Sequence, residues 1–276
     1  MTGSLPLSLK FWGARGSFPT PEAGKLGHGG NTASVEVQYG DRARLILDAG
    51  SGIRRLGHAL VAGSDSADKT ARIFLSHCHS DHIHGLPFFV PMYRPDWRVV
   101  FYSTYPGVEL EARLRAQLKP PYFAAEAAIR AQREYCQVGP DGVGFGDLTV
   151  RSFPLNHPGG CAGYRIDSPS RSVVYATDHE HGDPASEQAL RQSAKGVDVL
   201  IYDAQFTPEE YPERRGWGHS TWLEGTRVAR DSGVKQLVLF HHDPEHDDQT
   251  LSRILAEAQA EFPNTVCAQE GWTVSL

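Results

Sequence analysis

A chain of 276 residues is long enough to bury a large core without disulfide staples. Its 27 Lys and Arg against 33 Asp and Glu leave a net charge of −6, which excludes bulk attraction to a nucleic-acid backbone or an anionic membrane as the main binding term. No apolar run approaches the roughly 18 residues of a membrane span, the opening MTGSLPLSLKFWG lacks the marks of a secretory leader, and the four cysteines (78, 136, 161, 267) make neither a disulfide framework nor a CxxC zinc site. A cytoplasmic protein with reduced, mostly buried thiols is expected.

Along the chain, residues 7–13 predict a strand, and the Gly/Pro-rich GARGSFPTPEAGKLGHGGN that follows predicts a long loop beside something important. SVEVQY and ARLILD predict a hairpin. SGIRRLGHAL predicts a helix capped by Ser51, and GSDSADKT a polar surface connection. Short β-rich runs then alternate with helical segments. The runs are ARIFLS, RVVFYS, LTVRSF, SVVYAT, DVLIYD and QLVLFH; the segments are VELEARLRAQL, AAEAAIRAQRE, SEQALRQSAK, WLEGTRVARDS and TLSRILAEAQAEF. VCAQEGWTVSL predicts a closing strand, and Asp247 and Asp248 a cap for the last helix. The pattern is mixed α/β, read as one domain over 1–276, with 104–140 as a two-helix insertion serving as a cap over a site or as an interface that would allow a homodimer.

The strongest chemical signal is LSHCHSDHIHG, part of an unusually histidine-rich chain with 13 in all. After the strand ARIFLS, His77 and His79 stand two apart and point to one side of an extended loop, so they can share a metal while Cys78 points away. Asp81 and His82, past a turn at Ser80, can serve a second ion close by. Such donors suit two divalent ions, zinc first, with manganese or iron also fitting. Arg15 and Gly29–Gly30 before Asn31 can present a guanidinium and backbone N–H groups to a phosphate; a simple Gly-rich turn explains them equally well. The aromatics Phe88, Phe89, Tyr93, Tyr122 and Trp217 can stack on a base or simply pack in the core.

HCHSDH matches the HxHxDH signature of the metallo-β-lactamase superfamily, which the chain resembles over nearly its whole length. The resemblance implies a four-layer αββα sandwich. It makes Asp48, in LILDAGSG, a support for the ligand loop rather than a ligand. It places His157 (PLNHPGG) with His77 and His79 on one metal, His241 (QLVLFHHDP) with Asp81 and His82 on the other, and Asp178 (SVVYATDHEH) on both. His242 could exchange roles with His241, though the match at LVLF-His favours the latter; His84 and Asp243 are left open.

No cysteine falls where lactamase-type sites carry one, and GWGHSTWLEGTRVA is similar to a segment of the phosphodiesterase branch, which includes the tRNA 3′-processing endonucleases. The resemblance implies that His219 protonates the leaving oxygen, held by Asp203 of YDAQ where that branch has a glutamate; the structural alternative is that His219 caps the helix near Ser220. Asp81, His219 and Asp203 are thus the catalytic candidates. The processing endonucleases insert a long arm between the third histidine and the bridging carboxylate; here only twenty residues intervene. That disfavours a nucleic-acid partner without excluding one. The expected activity is metal-dependent hydrolysis of a phosphodiester in a small, cyclic-type nucleotide, with a bridging hydroxide as nucleophile. The alternatives are hydrolysis of another ester or thioester, or RNA 3′-processing.

Overall fold

The computed structural model describes residues 5–63, 68–124 and 126–276. The chain opens with β1 (Leu7–Gly13), β2 (Ser34–Tyr39), β3 (Ala43–Leu47), α1 (Ile53–Ala62), β4 (Thr70–Phe74), the short α2 (Ser80–Ile83), β5 (Arg98–Ser103), α3 (Gly107–Leu118) and β6 (Gln132–Gln137). β7 (Val143–Phe145), β8 (Leu148–Leu155), β9 (Cys161–Asp167), β10 (Ser172–Ala176), α4 (Pro184–Ala194), β11 (Val199–Asp203) and the one-turn α5 (Tyr211–Arg214) follow. The chain ends with α6 (Trp222–Asp231), β12 (Gln236–Phe240), α7 (Asp248–Glu261), β13 (Thr265–Cys267) and β14 (Thr273–Ser275).

The strands form two seven-stranded mixed sheets, ordered β14-β1-β2-β3-β4-β5-β6 and β13-β12-β11-β10-β9-β8-β7. Strand alternation sets the layers. In β3, Leu45 and Leu47 join the core between the sheets while Ile46 turns to the helices. In β11, Val199 and Ile201 face the intersheet core while Leu200 and Tyr202 pack in the core that includes Leu190, Val228 and Leu251 of α4, α6 and α7. Helix α1 buries Ile53, Leu56, Gly57 and Leu60, a spacing that aims one stripe at the first sheet. Both faces of each sheet are therefore covered, which is the αββα sandwich that the superfamily resemblance implies. The Tyr164 hydroxyl donates to the Leu75 carbonyl at 2.6 Å, tying β9 to the end of β4 and locking one sheet's register to the other's. Among the described residues no helix is long and apolar enough to cross a membrane.

Four local expectations need correction. AAEAAIRAQRE is no helix: after a 3-10 turn at Glu126–Ala128 the chain enters β6, parallel to β5. Pairing with β5 and stacking of Tyr135 on Phe101 override the alanine-rich helix propensity. VCAQEGWTVSL is two strands, β13 and β14, in different sheets, split by a turn with Gly271 at φ 83°. Ser51 does not cap α1, whose N-cap is Gly52; its hydroxyl donates to Asn31 Oδ1 and accepts the Thr32 N–H. Residues 64–67 of the connection GSDSADKT lie outside the described residues.

The fourth concerns Arg15 and Asn31. Arg15 is fully buried, and its guanidinium donates to the carbonyls of Gly29 (2.8 Å), His246 (2.6 Å), Asp243 (3.2 Å) and Lys25 (3.2 Å). Asn31 donates to Glu270 at 3.0 Å and accepts from Ser51 at 2.9 Å. Both hold the 14–31 loop against the C-terminal loops rather than facing a substrate phosphate. Arg15→Lys, which cannot reproduce the fork, is expected to cost about 2 kcal/mol and lower Tm by about 5 °C, with KM unchanged. A raised KM at unchanged Tm would return Arg15 to the substrate.

Candidate metal centre

The side chains expected to bind metal come together at one edge of the sandwich, each delivered just past a strand's C-terminal end. Asp48 follows β3; His77, His79, Asp81 and His82 follow β4 on its loop and on α2; His157 follows β8; Asp178 and His241 follow β10 and β12, and Asp203 is the last residue of β11. Asp48, Asp178 and His241 adopt positive φ (58°, 52° and 59°), an uncommon conformation for residues with a side chain. These turns bring side chains from separate strands to one point.

Two donor clusters result. His77, His79 and His157 form the first, and Asp81, His82, Asp178 and His241 the second. Asp178 reaches both. Its Oδ1 lies 3.1 Å from His82 Nε2 and 3.3 Å from His241 Nε2, whereas its Oδ2 lies 3.6 Å from His77 Nε2 and 3.7 Å from His157 Nε2. Asp81 Oδ2 stands 3.1 Å from His82 Nε2 and 3.2 Å from His241 Nε2.

The fit to cations can be tested on the protons. Four of the imidazoles place Nδ1 against an acceptor: His77 against Ser76 Oγ (3.0 Å), His82 against Asp48 (2.8 Å), His157 against the Gly218 carbonyl (2.8 Å) and His241 against Gln205 Oε1 (2.9 Å). Their Nε2 lone pairs then face inward. His157 Nε2 meets His79 Nδ1 at 3.0 Å, His82 Nε2 meets His241 Nε2 at 3.2 Å, and His77 Nε2 is buried with no hydrogen-bond partner. Lone pairs converging at these distances call for a positive ion between them. Electrostatics agree. Burial works against charge on His82, yet Asp178, Asp81 and Asp48 hold its pKa well above the usual value, a demand for positive charge that a cation meets. Burial likewise opposes the Asp178 charge, but His241, His82 and His77 keep its carboxyl well below the usual range. Burial lowers the pKa of His77 and of His157, favouring the neutral ring that a ligand presents. The residues present therefore fit divalent metal binding.

Asp48 supports the ligands from behind. Its Oδ1 accepts the Ser76 N–H, while its Oδ2 accepts from Ser76 Oγ, His82 Nδ1 and Tyr175 Oη, each at 2.8 Å. His219 sits beside both clusters, with Nδ1 2.8 Å from Asp203 Oδ2 and 4.0 Å from Asp178 Oδ2. Aspartate therefore reaches this histidine. Burial disfavours the charged ring, but the Asp203 carboxylate, with Asp178 and Asp81 beyond it, lifts its pKa to about 9. His219 does not cap α6, because Thr221 does, accepting the Glu224 N–H.

Other histidines stand apart from the clusters. His242 lies against the Ala268 carbonyl, His84 against Thr32 Oγ1 and His181 against Ser220 Oγ; His179 Nδ1 accepts the Asn156 N–H. Asp243 accepts the Glu245 N–H. Asp247 caps α7 as expected, while Asp248 binds the 27–28 backbone and His28. Burial raises the Cys78 thiol to about 11 and the Cys267 thiol to about 12, so neither is a ready nucleophile.

Sequence reasoning missed several supports. Gln205, two residues past Asp203 in YDAQ, orients His241; Ser76, at the head of SHCHSDH, orients His77; the Ser17 N–H donates to Asp81 Oδ2 at 2.9 Å. Glu180 was also missed. Its carboxylate accepts the N–H groups of Gly216 (2.7 Å) and Gly218 (2.8 Å), holding the loop that carries His219 and presents the Gly218 carbonyl to His157. Gly218 has φ 90°, and a Cβ there would collide with the His157 ring.

Residues 43–242 match the family model described as a beta-lactamase superfamily domain. Ribonuclease BN of Cronobacter sakazakii is 24% identical, over 89% of this chain and 94% of its own. The crystal structure of the metallo-beta-lactamase fold protein YhfI from Bacillus subtilis superposes with a TM-score of 0.74 at 20% identity, covering 99% of this chain and 100% of that one. A diphosphatase from the PhnP family superposes with a TM-score of 0.71 at 22% identity, with 98% of each chain covered. With more than half its length matched and the His/Asp clusters in place, the chain belongs to the beta-lactamase superfamily and is a metallo-hydrolase.

Proposed function

We propose that this protein is a metal-dependent phosphodiesterase of the cytoplasm that acts on a small nucleotide, cyclic diesters included. The observation that carries the reading is the division of the two Asp178 oxygens between two donor clusters, with the His219–Asp203 pair beside them. His77, His79 and His157 would hold one divalent ion, Asp81, His82 and His241 a second, and Asp178 both, with zinc the first choice and manganese or iron also suited. When bound, the ions supply Lewis acidity, which lowers the pKa of water and draws charge off a phosphoryl oxygen.

The protein's own contribution is proton placement. Asp203 accepts the Nδ1 proton of His219, so the imidazolium carries its second proton on Nε2. Water attacks phosphorus and gives up one proton, the bond to the leaving oxygen breaks, and that oxygen takes the Nε2 proton; the proton released by water restores the imidazolium through solvent, and the products are a phosphomonoester and an alcohol, or one ring-opened monoester from a cyclic diester. Asp48, Gln205 and Ser76 hold the ligating rings in orientation.

A second reading, cleavage of RNA, draws support from the relative named ribonuclease BN. The small-substrate reading draws on the span between His157 and Asp178, where β9 and β10 form a plain antiparallel hairpin, and on the net charge of −6. An assay panel separates them: a cyclic nucleotide, bis(p-nitrophenyl) phosphate, a phosphomonoester, a pre-tRNA, a thioester and a β-lactam. Diesters should be turned over and monoesters much less. Faster turnover of thioester or lactam overturns the phosphodiester reading, and faster turnover of pre-tRNA favours the second.

Metal content gives an independent check. The purified protein should carry close to two transition-metal ions per chain, and Asp178→Ala should lose at least one; a variant still holding two tight ions removes Asp178 from its shared role. Asp48→Asn should weaken metal retention about 10- to 100-fold without touching an ion.

His219→Ala tests the acid. It should keep metal content and Tm, lose about 10² to 10⁴-fold in kcat on diesters with alkyl leaving groups, and lose far less on p-nitrophenyl esters, whose leaving group needs no proton. Equal losses on both would mean lost structure or metal, and no loss on either would dismiss His219 from the reaction.

A further inference from the structure

Beside the metal centre, at the same edge of the sandwich, lies a cleft of about 430 Å³. One wall comes from the two ends of the 104–140 segment, Thr104 and Tyr105 after β5 and Gln137–Pro140 at the end of β6. The other comes from the C-terminal half of β8, with Phe153 and Pro154, and from the Gly159–Gly160 turn that follows His157. Ser152 Oγ ties the walls together by donating to the Val138 carbonyl at 3.0 Å, and within the first wall Gln137 Nε2 donates to the Thr104 carbonyl at 3.0 Å. The cleft borders the ligands directly. A Cβ at Gly159 would lie 3.9 Å from His79 Nε2, and Cys161, whose backbone borders the cleft, has its buried Sγ 3.8 Å from His77 Nδ1. Gly159 and Gly160 both have positive φ (84° and 87°), which keeps this rim free of side chains.

We propose that this cleft is the pocket for the nucleobase of the substrate, on the non-leaving side of the phosphodiester; the inference rests on the phosphodiesterase reading above. None of its described lining residues carries a charge, which rejects phosphate, carboxylate and ammonium groups. The lining mixes the rings of Tyr105, Pro140 and Pro154 with the Gln137 amide and the Thr104 hydroxyl, while the Phe153 ring is buried against the α4 layer. An aliphatic chain would leave the polar groups unmatched, and a sugar alone would leave the rings unmatched. A flat heteroaromatic base, apolar on its faces and hydrogen-bonding at its edge, satisfies both, and the volume suits a small-ligand site. A phosphate at the metal centre would place its esterified nucleoside across the imidazole of His79 into the cleft. The 104–140 segment thus acts as a specificity wall.

The test compares two substrates that share a leaving group: the p-nitrophenyl ester of thymidine 5′-phosphate and methyl p-nitrophenyl phosphate. The wild-type protein should favour the nucleoside ester at least tenfold in kcat/KM. Thr104→Trp, which fills the cleft from an exposed position, should raise KM for the nucleoside ester about tenfold and bring the kcat/KM ratio of the two esters close to one. Gln137→Leu, a milder change, should move the ratio the same way by about threefold, so that a folding failure in the tryptophan variant does not decide the matter. A ratio unmoved by both variants, or one that collapses only in Trp217→Ala, would overturn the pocket. Failure of the wild-type protein to hydrolyse either ester would instead overturn the phosphodiesterase reading on which the pocket depends.

Discussion

A carboxylate buried among histidines is the constraint on which the rest of this structure depends. Asp178 is 1% exposed, and its two oxygens face donors from both sheets: His77 and His82 from the first, His157 and His241 from the second. An uncompensated charge at that depth would cost several kcal/mol. Cations held by these groups would turn the penalty into a bond network, coupling metal affinity to fold stability. Each donor cluster draws on both sheets, and the site forms only when the intersheet core, with Tyr164 bonded to the Leu75 carbonyl, sets their relative position.

The cost of this convergence shows in the backbone. Asp48, Asp178 and His241 take left-handed conformations just past three different strands, and Ser17 (φ 57°) does so while its N–H binds Asp81. Gly16 approaches the His241 ring so closely that a Cβ would clash with it. These strained points gather around the ligands, where hydrogen bonds and buried packing hold conformations that exposed segments would relax.

Much of this was legible in the chain, because the code involved is local. A β-rich run followed at once by histidine or aspartate places a side chain at a sheet's C-terminal edge, and four such runs carry the seven candidate ligands, His157, Asp178 and His241 singled out by the superfamily resemblance. What was not legible depends on neighbours distant in sequence. Gln205 and Glu180 are ordinary polar residues until folding sets them beside His241 and the Gly216–Gly218 backbone. Arg15 in a glycine-rich loop has one signature whether it binds phosphate or carbonyls, and only burial separates the two. The 132–137 segment carries helix-favouring residues, and an edge position beside β5 decides for strand.

His219, the proposed proton donor, is built differently from the proposed metal ligands. His219 is held through its ring by Asp203 and through its preceding backbone by Glu180, one carboxylate ending β11 and the other following β10, both strands of the second sheet. Asp203 Oδ2 also accepts the N–H of His179, the residue after Asp178, so the acid and the shared carboxylate are anchored to one another. A small slide of one sheet against the other would therefore disturb both donor clusters before it changed the spacing of His219 from Asp178. On the proposed roles, that division would give metal affinity to the intersheet packing and leaving-group protonation to the second sheet alone, so that a defect in one leaves the other measurable.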